Sequence, residues 1–206
     1  MLTRCDWVSQ DPLSIHYHDE EWGVPVYDDL KLFEFLLLEG FQAGLSWITI
    51  LKKRESFRCA FDDFIPEKIA AYDEQKIAQL LQDRGIIRNR LKLQAAVENA
   101  RAYLNIREIY GTFSRYMWSF VDGNPQIHHW HRSEEVPTSS PLSDHMSTEL
   151  KKQGFRFVGT TICYSFMQAT GMVMDHTVDC FRYPILSLAP NVQASDRGDR
   201  KHGGTF

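Results

Sequence analysis

The sequence predicts an all-α protein. Three observations lead there: helix start and stop signals recur along the chain, apolar residues fall at helical spacing, and sustained alternation is scarce. No convincing hairpin turn joins two strand-like runs, Asp122-Gly123 being the nearest case.

The elements follow in order. Asp28 and Asp29 can cap a helix in which Leu30, Phe33 and Leu37 share a face, and Gly40 and Gly44 are expected to interrupt it. A second helix is expected from about Ser46 to Ala60. Pro66 opens a short helix at a favoured first-turn position, and Asp73 precedes another that ends near Gln82, before Gly85. From Arg88 onward, Leu93, Ala96, Ala100 and Leu104 share one face until Gly111 stops the run. Ser140-Pro141 is a cap followed by a first helical position; Leu142, Met146 and Leu150 come next, and Gly154 ends the helix. Thr160 or Thr161 opens a late helix running to about Gly171, and Asp175 is expected to begin a last one.

Composition bounds the function. With 206 residues, 43% hydrophobic and 24% charged, the chain suits one large domain or two small lobes, and wholesale disorder is excluded. Its 13 Phe, 8 Tyr and 5 Trp favour a large core, a stacking site, or both. No apolar run reaches the roughly 18 residues of a membrane span. Met1 to Trp7 lacks a basic-then-apolar leader, so an intracellular protein is expected. A net charge of −4 rules out a globally basic coat for nucleic acid, yet basic residues cluster locally at Lys52, Lys53, Arg54 and Arg58, between Arg84 and Lys92, and at Lys151, Lys152 and Arg156. Each cluster also suits a solvated helix face. Four widely spaced cysteines do not make a disulfide scaffold. Ser195 to Gly204 contains no apolar residue, and residues 187–206 are expected to form a disordered tail.

His176-Thr177-Val178-Asp179-Cys180 places His and Cys four apart, on one face of a helix if helical. Cys5 and His18 near the other end supply the same pair of donors, and together the four make a Cys2His2 set suited to zinc. Filled by four side chains, such a site has no position for an activated water and is structural. The same spacing also fits a capped helix with a small buried thiol.

Leu80 to Arg90 reads as a helix, a tight turn containing Gly85, and a basic helix start, whose free backbone N–H groups can hold a phosphate with help from Arg84, Arg88, Arg90 and Lys92. A plain corner between two helices reads the same way. In Leu38-Glu39-Gly40-Phe41-Gln42-Ala43-Gly44-Leu45-Ser46-Trp47, a carboxylate, two glycines and a Trp suggest a pocket wall, and Trp7 and Tyr17 flank the Cys5 and His18 pair. A core Trp and a surface Glu are the alternative.

Arg4-Cys5-Asp6-Trp7-Val8 and Tyr17-His18-Asp19-Glu20-Glu21-Trp22-Gly23-Val24-Pro25 resemble the start of the 3-methyladenine-DNA glycosylase I family. So do the segments Gln42 to Arg54 and Phe155 to Ala169, and the resemblance covers roughly residues 1–184. It implies a helix-hairpin-helix glycosylase that removes 3-methyladenine from alkylated double-stranded DNA, acting as a monomer and without a membrane. No lysine occupies an obvious nucleophile position in the pocket segments, so no strand nicking is expected. It implies one structural Zn2+ on Cys5, His18, His176 and Cys180. Base binding falls on Trp7, Tyr17, Glu39 and Trp47, with Glu39 the catalytic candidate. DNA contacts fall on Gly44 and Leu45, which form a wedge, and on Gly85, Arg88 and Arg90 in the hairpin. One domain over residues 1–186 is expected, with a helical middle over about 28–155, the hairpin near 80–92, and a zinc lobe from 1–25 and 156–186. Ser14 stands where the family would have a Tyr, and the superfamily's usual catalytic Asp has no clear match. A zinc-stabilised DNA-binding module without activity and a metal-dependent hydrolase are the rival readings; the role of His128, His129 and His131 stays open, simple surface residues being one reading.

Overall fold

The computed structural model describes residues 2–188, and most of them lie in helices. The part of the expected tail from residue 189 onward lies outside the described residues. Its first residues do not: α11 (Tyr183–Ser187) carries helix as far as Ser187.

The central element is α2 (Asp29–Gln42), buried at every position from Leu32 to Phe41, as expected for a helix that is apolar nearly all round. Asp28 caps it by accepting from the Lys31 amide at 2.8 Å, whereas Asp29 turns to the start of α8 (Phe113–Trp118) and accepts from the Phe113 and Ser114 amides at 3.0 and 2.7 Å. Gly40 does not interrupt α2. A Cβ there would meet the Phe157 Cβ at 3.4 Å, so the glycine marks a close approach of the segment between the helices Pro141–Lys152 and Thr160–Ala169 rather than a stop.

α1 (Pro12–Glu20), which carries Tyr17 and His18, was not anticipated, although Asp11 caps it and Pro12 opens it. The expected helix from Ser46 to Ala60 is two, α3 (Trp47–Leu51) and α4 (Arg54–Ala60), broken at Lys52 and Lys53. α5 (Pro66–Ala70), α6 (Glu74–Leu80) and the long α7 (Arg90–Tyr110) match the sequence reading closely. So does α9 (Pro141–Lys152), which begins with a reciprocal cap between Ser140 and Ser143. α10 (Thr160–Ala169) packs on α9 and α2. No helix of the described residues is long and apolar enough to cross a membrane.

One small sheet sets the chain ends. β1 (Gln126–Ile127) pairs in parallel with β2 (Val173–Met174), Gln126 opposite Val173. The chain then leaves β2 not as a helix but as a turn over residues 175–182, correcting the expectation at Asp175. Phe181 N–H donates to Thr3 O at 3.0 Å, which draws the first and last described segments together. A continuous apolar core extends from Cys5 to Cys180, with Phe33, Phe57, Phe61, Tyr103, Phe113 and Trp118 among its larger members.

Candidate active site

Where the first and last described segments meet, Cys5, His18, His176 and Cys180 are all buried and their donor atoms lie within 4.8 Å of one another. Cys180 Sγ is 3.5 Å from His18 Nε2 and 3.4 Å from His176 Nδ1, and Cys5 Sγ is 3.6 Å from His176 Nδ1. A tetrahedral ion with bonds of about 2.0–2.3 Å has edges of about 3.3–3.8 Å, so these three separations fit it. The other ring nitrogens are occupied outside the cluster: His18 Nδ1–H donates to Asp19 at 2.8 Å and His176 Nε2–H donates to Trp22 O at 3.0 Å. That arrangement fixes both tautomers with the free lone pair facing the sulfurs. Asp19 is itself gripped by Arg4, at 2.6 Å. Cys5 is held up as a thiol by its bond to Cys180 and by burial, while that bond, with the two imidazoles, holds the Cys180 sulfur far down as a thiolate. The helix expected under His176 and Cys180 is absent; a turn in which Cys180 N–H donates to Thr177 O at 2.9 Å brings them together instead.

Beside the cluster opens a cavity of about 340 Å³, lined among others by Trp7, Tyr17, Trp22, Glu39, Trp47 and Asp175. Each wall has a local cause. α1 supplies Tyr17, the last turns of α2 supply Glu39, and the first residue of α3 supplies Trp47. Tyr17 and Trp47 are 5.3 Å apart between ring centroids, and Trp7, 41% exposed, packs edge-on against Trp22 at 4.9 Å. The structure thus brings Trp7, Tyr17, Glu39 and Trp47 to one place. Ser14 does not line it; its hydroxyl accepts from the Ser9 amide at 3.1 Å.

Glu39 Oε2 and Trp47 Nε1 are buried without a hydrogen-bond partner among the described residues. With nothing to offset it, burial pushes the Glu39 carboxyl up to about 8. Tyr17 is likewise pushed up by burial and then by the neighbouring Glu39.

A second carboxylate in the wall escaped the sequence reading. Asp175 is buried, and it accepts from His128 Nδ1 at 2.6 Å and from Trp130 Nε1, Tyr164 Oη and Gln168 Nε2 at 2.8 Å each. Burial opposes its ionisation, but the four donors, His128 foremost, win and hold it below the ordinary carboxylate range. His128 is therefore not a plain surface residue. Its only sequence signal was Asp175 directly preceding His176.

Gly44 and Leu45 sit past the end of α2. Gly44 takes φ of +82°, a conformation L side chains rarely adopt, and Leu45 is 42% exposed on that turn. The turn between α6 and α7 is tied to the junction of α3 and α4, where Lys53 Nζ donates to Arg84 O at 2.8 Å. A Cβ on Gly85 would lie 2.9 Å from both Ser56 Cβ and Asp83 Oδ1, so only glycine fits. The Gly85 amide is not free for a phosphate as expected: it donates to Asp83 at 2.7 Å. The amides of Ile86, Ile87 and Arg88 meet no acceptor among the described residues. Arg88 is exposed, and Arg90 pairs with Glu74 at 2.8 Å on the surface. Lys92 departs from expectation altogether: it is buried and turned inward.

The comparisons with known proteins agree with this geometry. The methyladenine glycosylase family model matches residues 7–183. The Escherichia coli K12 protein named DNA-3-methyladenine glycosylase 1 is 57% identical over 89% of this chain and 98% of its own. The Haemophilus influenzae protein named DNA-3-methyladenine glycosylase is 50% identical over 87% and 97%. Among solved structures, a 3-methyladenine DNA glycosylase I from Staphylococcus aureus, described for its recognition of 3-methyladenine, superposes with a TM-score of 0.86 at 40% identity, covering 89% of this chain and 97% of that one. Its chain matched in sequence from end to end of the described fold, this protein belongs to the methyladenine glycosylase family.

Proposed function

We infer that this protein is a DNA glycosylase that hydrolyses the N-glycosidic bond of 3-methyladenine in alkylated double-stranded DNA, leaving an abasic site. One observation carries the reading: a buried acceptor, Glu39 Oε2, and a buried donor, Trp47 Nε1, stand unpartnered in the wall of an aromatic cavity. Each such group costs about 1–3 kcal/mol while unpaired. A flat base with an exocyclic amine, a ring-nitrogen acceptor and a positive charge supplies what both lack.

Methylation at N3 makes the base cationic while it is still attached to the sugar. The enzyme flips it from the duplex at a cost of a few kcal/mol, and Leu45 on its Gly44 turn fills the gap in the stack. Exposed Arg88 and Arg90, with the hairpin around Gly85, hold the backbone. Trp47 and Tyr17 add about 0.5–2 kcal/mol of cation–π attraction, with Trp7 at the open side. Glu39, which keeps its proton in the empty pocket to about pH 8, gives it up as the cation arrives. At about 4 Å and an effective dielectric near 20, that pair gains on the order of 4 kcal/mol, which neutral adenine does not receive.

When the bond between C1′ and N9 breaks, its electron pair stays on the base, which leaves neutral. The sugar takes the positive charge, and water adds its oxygen to C1′ and releases a proton. Charge therefore moves away from Glu39 during the reaction, so this carboxylate selects the lesion more than it lowers the barrier. Incubation with methylated duplex DNA should release 3-methyladenine and leave adenine in place. Binding of that DNA with no free base would instead leave an inactive DNA-binding module.

We read residues 1–186 as one domain closed by a single structural zinc on Cys5, His18, His176 and Cys180, supported by the donor set, the edge lengths and the outward bonds of both imidazoles. A bound ion would supply cross-linking of the two chain ends, and those four side chains would hold it. Metal analysis of the purified protein should find one zinc per chain, and the Cys5→Ser variant should lose both the zinc and several degrees of melting temperature. Retention of full stability by a zinc-free preparation would defeat the assignment.

A further inference from the structure

Lys92 lies in the first turn of α7, directly after the hairpin, where a basic residue would ordinarily reach for phosphate. It does not. Its ammonium donates to Phe41 O at 2.8 Å and Ala43 O at 2.6 Å, the carbonyls at the end of α2 just before Gly44. Its own backbone N–H donates to the side chain of Asn89, the cap of α7, at 3.2 Å. One residue is thus tied by its main chain to the hairpin and by its side chain to the turn that carries Leu45.

We propose that Lys92 is a positioning residue that couples the hairpin's hold on the DNA backbone to the Gly44-Leu45 wedge, so that flipping of the damaged base depends on it. The proposal rests on the glycosylase reading. Three observations support it. First, the carbonyls at a helix C-terminus have no partners within the helix, and α2 has no basic residue of its own in the last turn to serve them. Lys92 does so from another helix.

Second, Lys92 is 8% exposed, and its ammonium forms no ion pair with a carboxylate among the described residues. Only the two carbonyl dipoles and the Phe157 ring, 6.0 Å away, offset its burial, which pushes its pKa down. A buried cation paired with dipoles alone is a costly way to fill space, and a Met would pack there more cheaply. Third, the wedge turn has little else to set its direction. Leu45 N–H donates back to Gln42 O at 2.6 Å, and a Cβ on Gly44 would meet nothing within 4 Å. The aim of Leu45 is therefore inherited from the end of α2, where Lys92 holds.

The test exploits the fact that a base in a single strand needs no wedge to leave its stack. Lys92→Met should slow single-turnover release of 3-methyladenine from methylated duplex by tenfold or more. Release from the same DNA after strand separation, and affinity for free 3-methyladenine, should stay within twofold of the wild-type protein. In a Leu45→Gly background, Lys92→Met should add less than a further twofold. Equal slowing on duplex and single strands, losses that multiply with Leu45→Gly, or no slowing at all would each overturn the proposal. Lys92→Gln keeps one donor and should show the same pattern at smaller size; it decides the matter if Lys92→Met does not fold. A wild-type protein that releases no base from either substrate would overturn the glycosylase reading itself, whereas normal wild-type release with a deficit shared by both substrates overturns only the role of Lys92.

Discussion

Glu39 and Asp175 face one cavity, both are almost inaccessible to solvent, and they differ in company. Asp175 accepts four hydrogen bonds and stays ionised; Glu39 has an oxygen with none and holds its proton to about pH 8. The contrast separates two uses of a buried carboxylate. A saturated one has nothing left to offer a ligand and serves to fix its neighbours, here β1, α10 and the turn after β2. An unsatisfied one leaves the empty protein less stable and is relieved when a cation enters.

Breaking the comparison on the saturated side should have the largest effect. Asp175→Asn replaces an acceptor of four donors by an amide whose own N–H groups point at donors. A loss of about 3–5 kcal/mol is expected, seen as a fall in melting temperature of about 6–15 °C. Melting within two degrees of the wild-type protein would show that the network contributes little.

The unsatisfied side should respond in the opposite direction and with pH. The folded protein keeps the Glu39 proton to about pH 8, while the unfolded chain loses it near 4.5. Between those values the folded state binds more protons, so the Glu39 contribution to stability falls as pH rises through that window. Glu39→Gln is free of that penalty. Its melting temperature should match the wild type near pH 4.5, exceed it progressively above that, and level off beyond about pH 8. The same variant should lose much of its preference for the methylated base over adenine. Thermal melts across pH that run parallel for the two proteins, or undiminished discrimination, would remove Glu39 from its role.

What could be read from the sequence was local. Helix starts at Asp28, Asp73 and Ser140 were legible because a cap and its amide partner lie within three residues. Asp11-Pro12 obeys the same rule, so α1 is legible in the sequence too. Gly40 was misread because a glycine's meaning depends on what packs against it, in this case Phe157 from far along the chain. Donor chemistry brings out Cys5, His18, His176 and Cys180, although a turn presents two of them where their spacing suggests a helix. Asp175 was beyond reach, since its partners at positions 128, 130, 164 and 168 meet it only in the folded molecule. Lys92 shows the same limit: a basic residue announces charge, while its direction is decided by carbonyls some fifty residues earlier.

The hydrogen bond from Phe181 to Thr3 closes nearly the whole described chain into a ring. A polypeptide still being made has Trp7, Tyr17, Glu39 and Trp47 in hand long before it has residues 175–181, and until those emerge from the ribosome the cavity lacks a side. Contacts this distant in sequence are also the slowest to form. Activity should therefore appear only once residues 175–181 have emerged, and a chain ending just before them would keep most of its helices while having no enclosed place for a base.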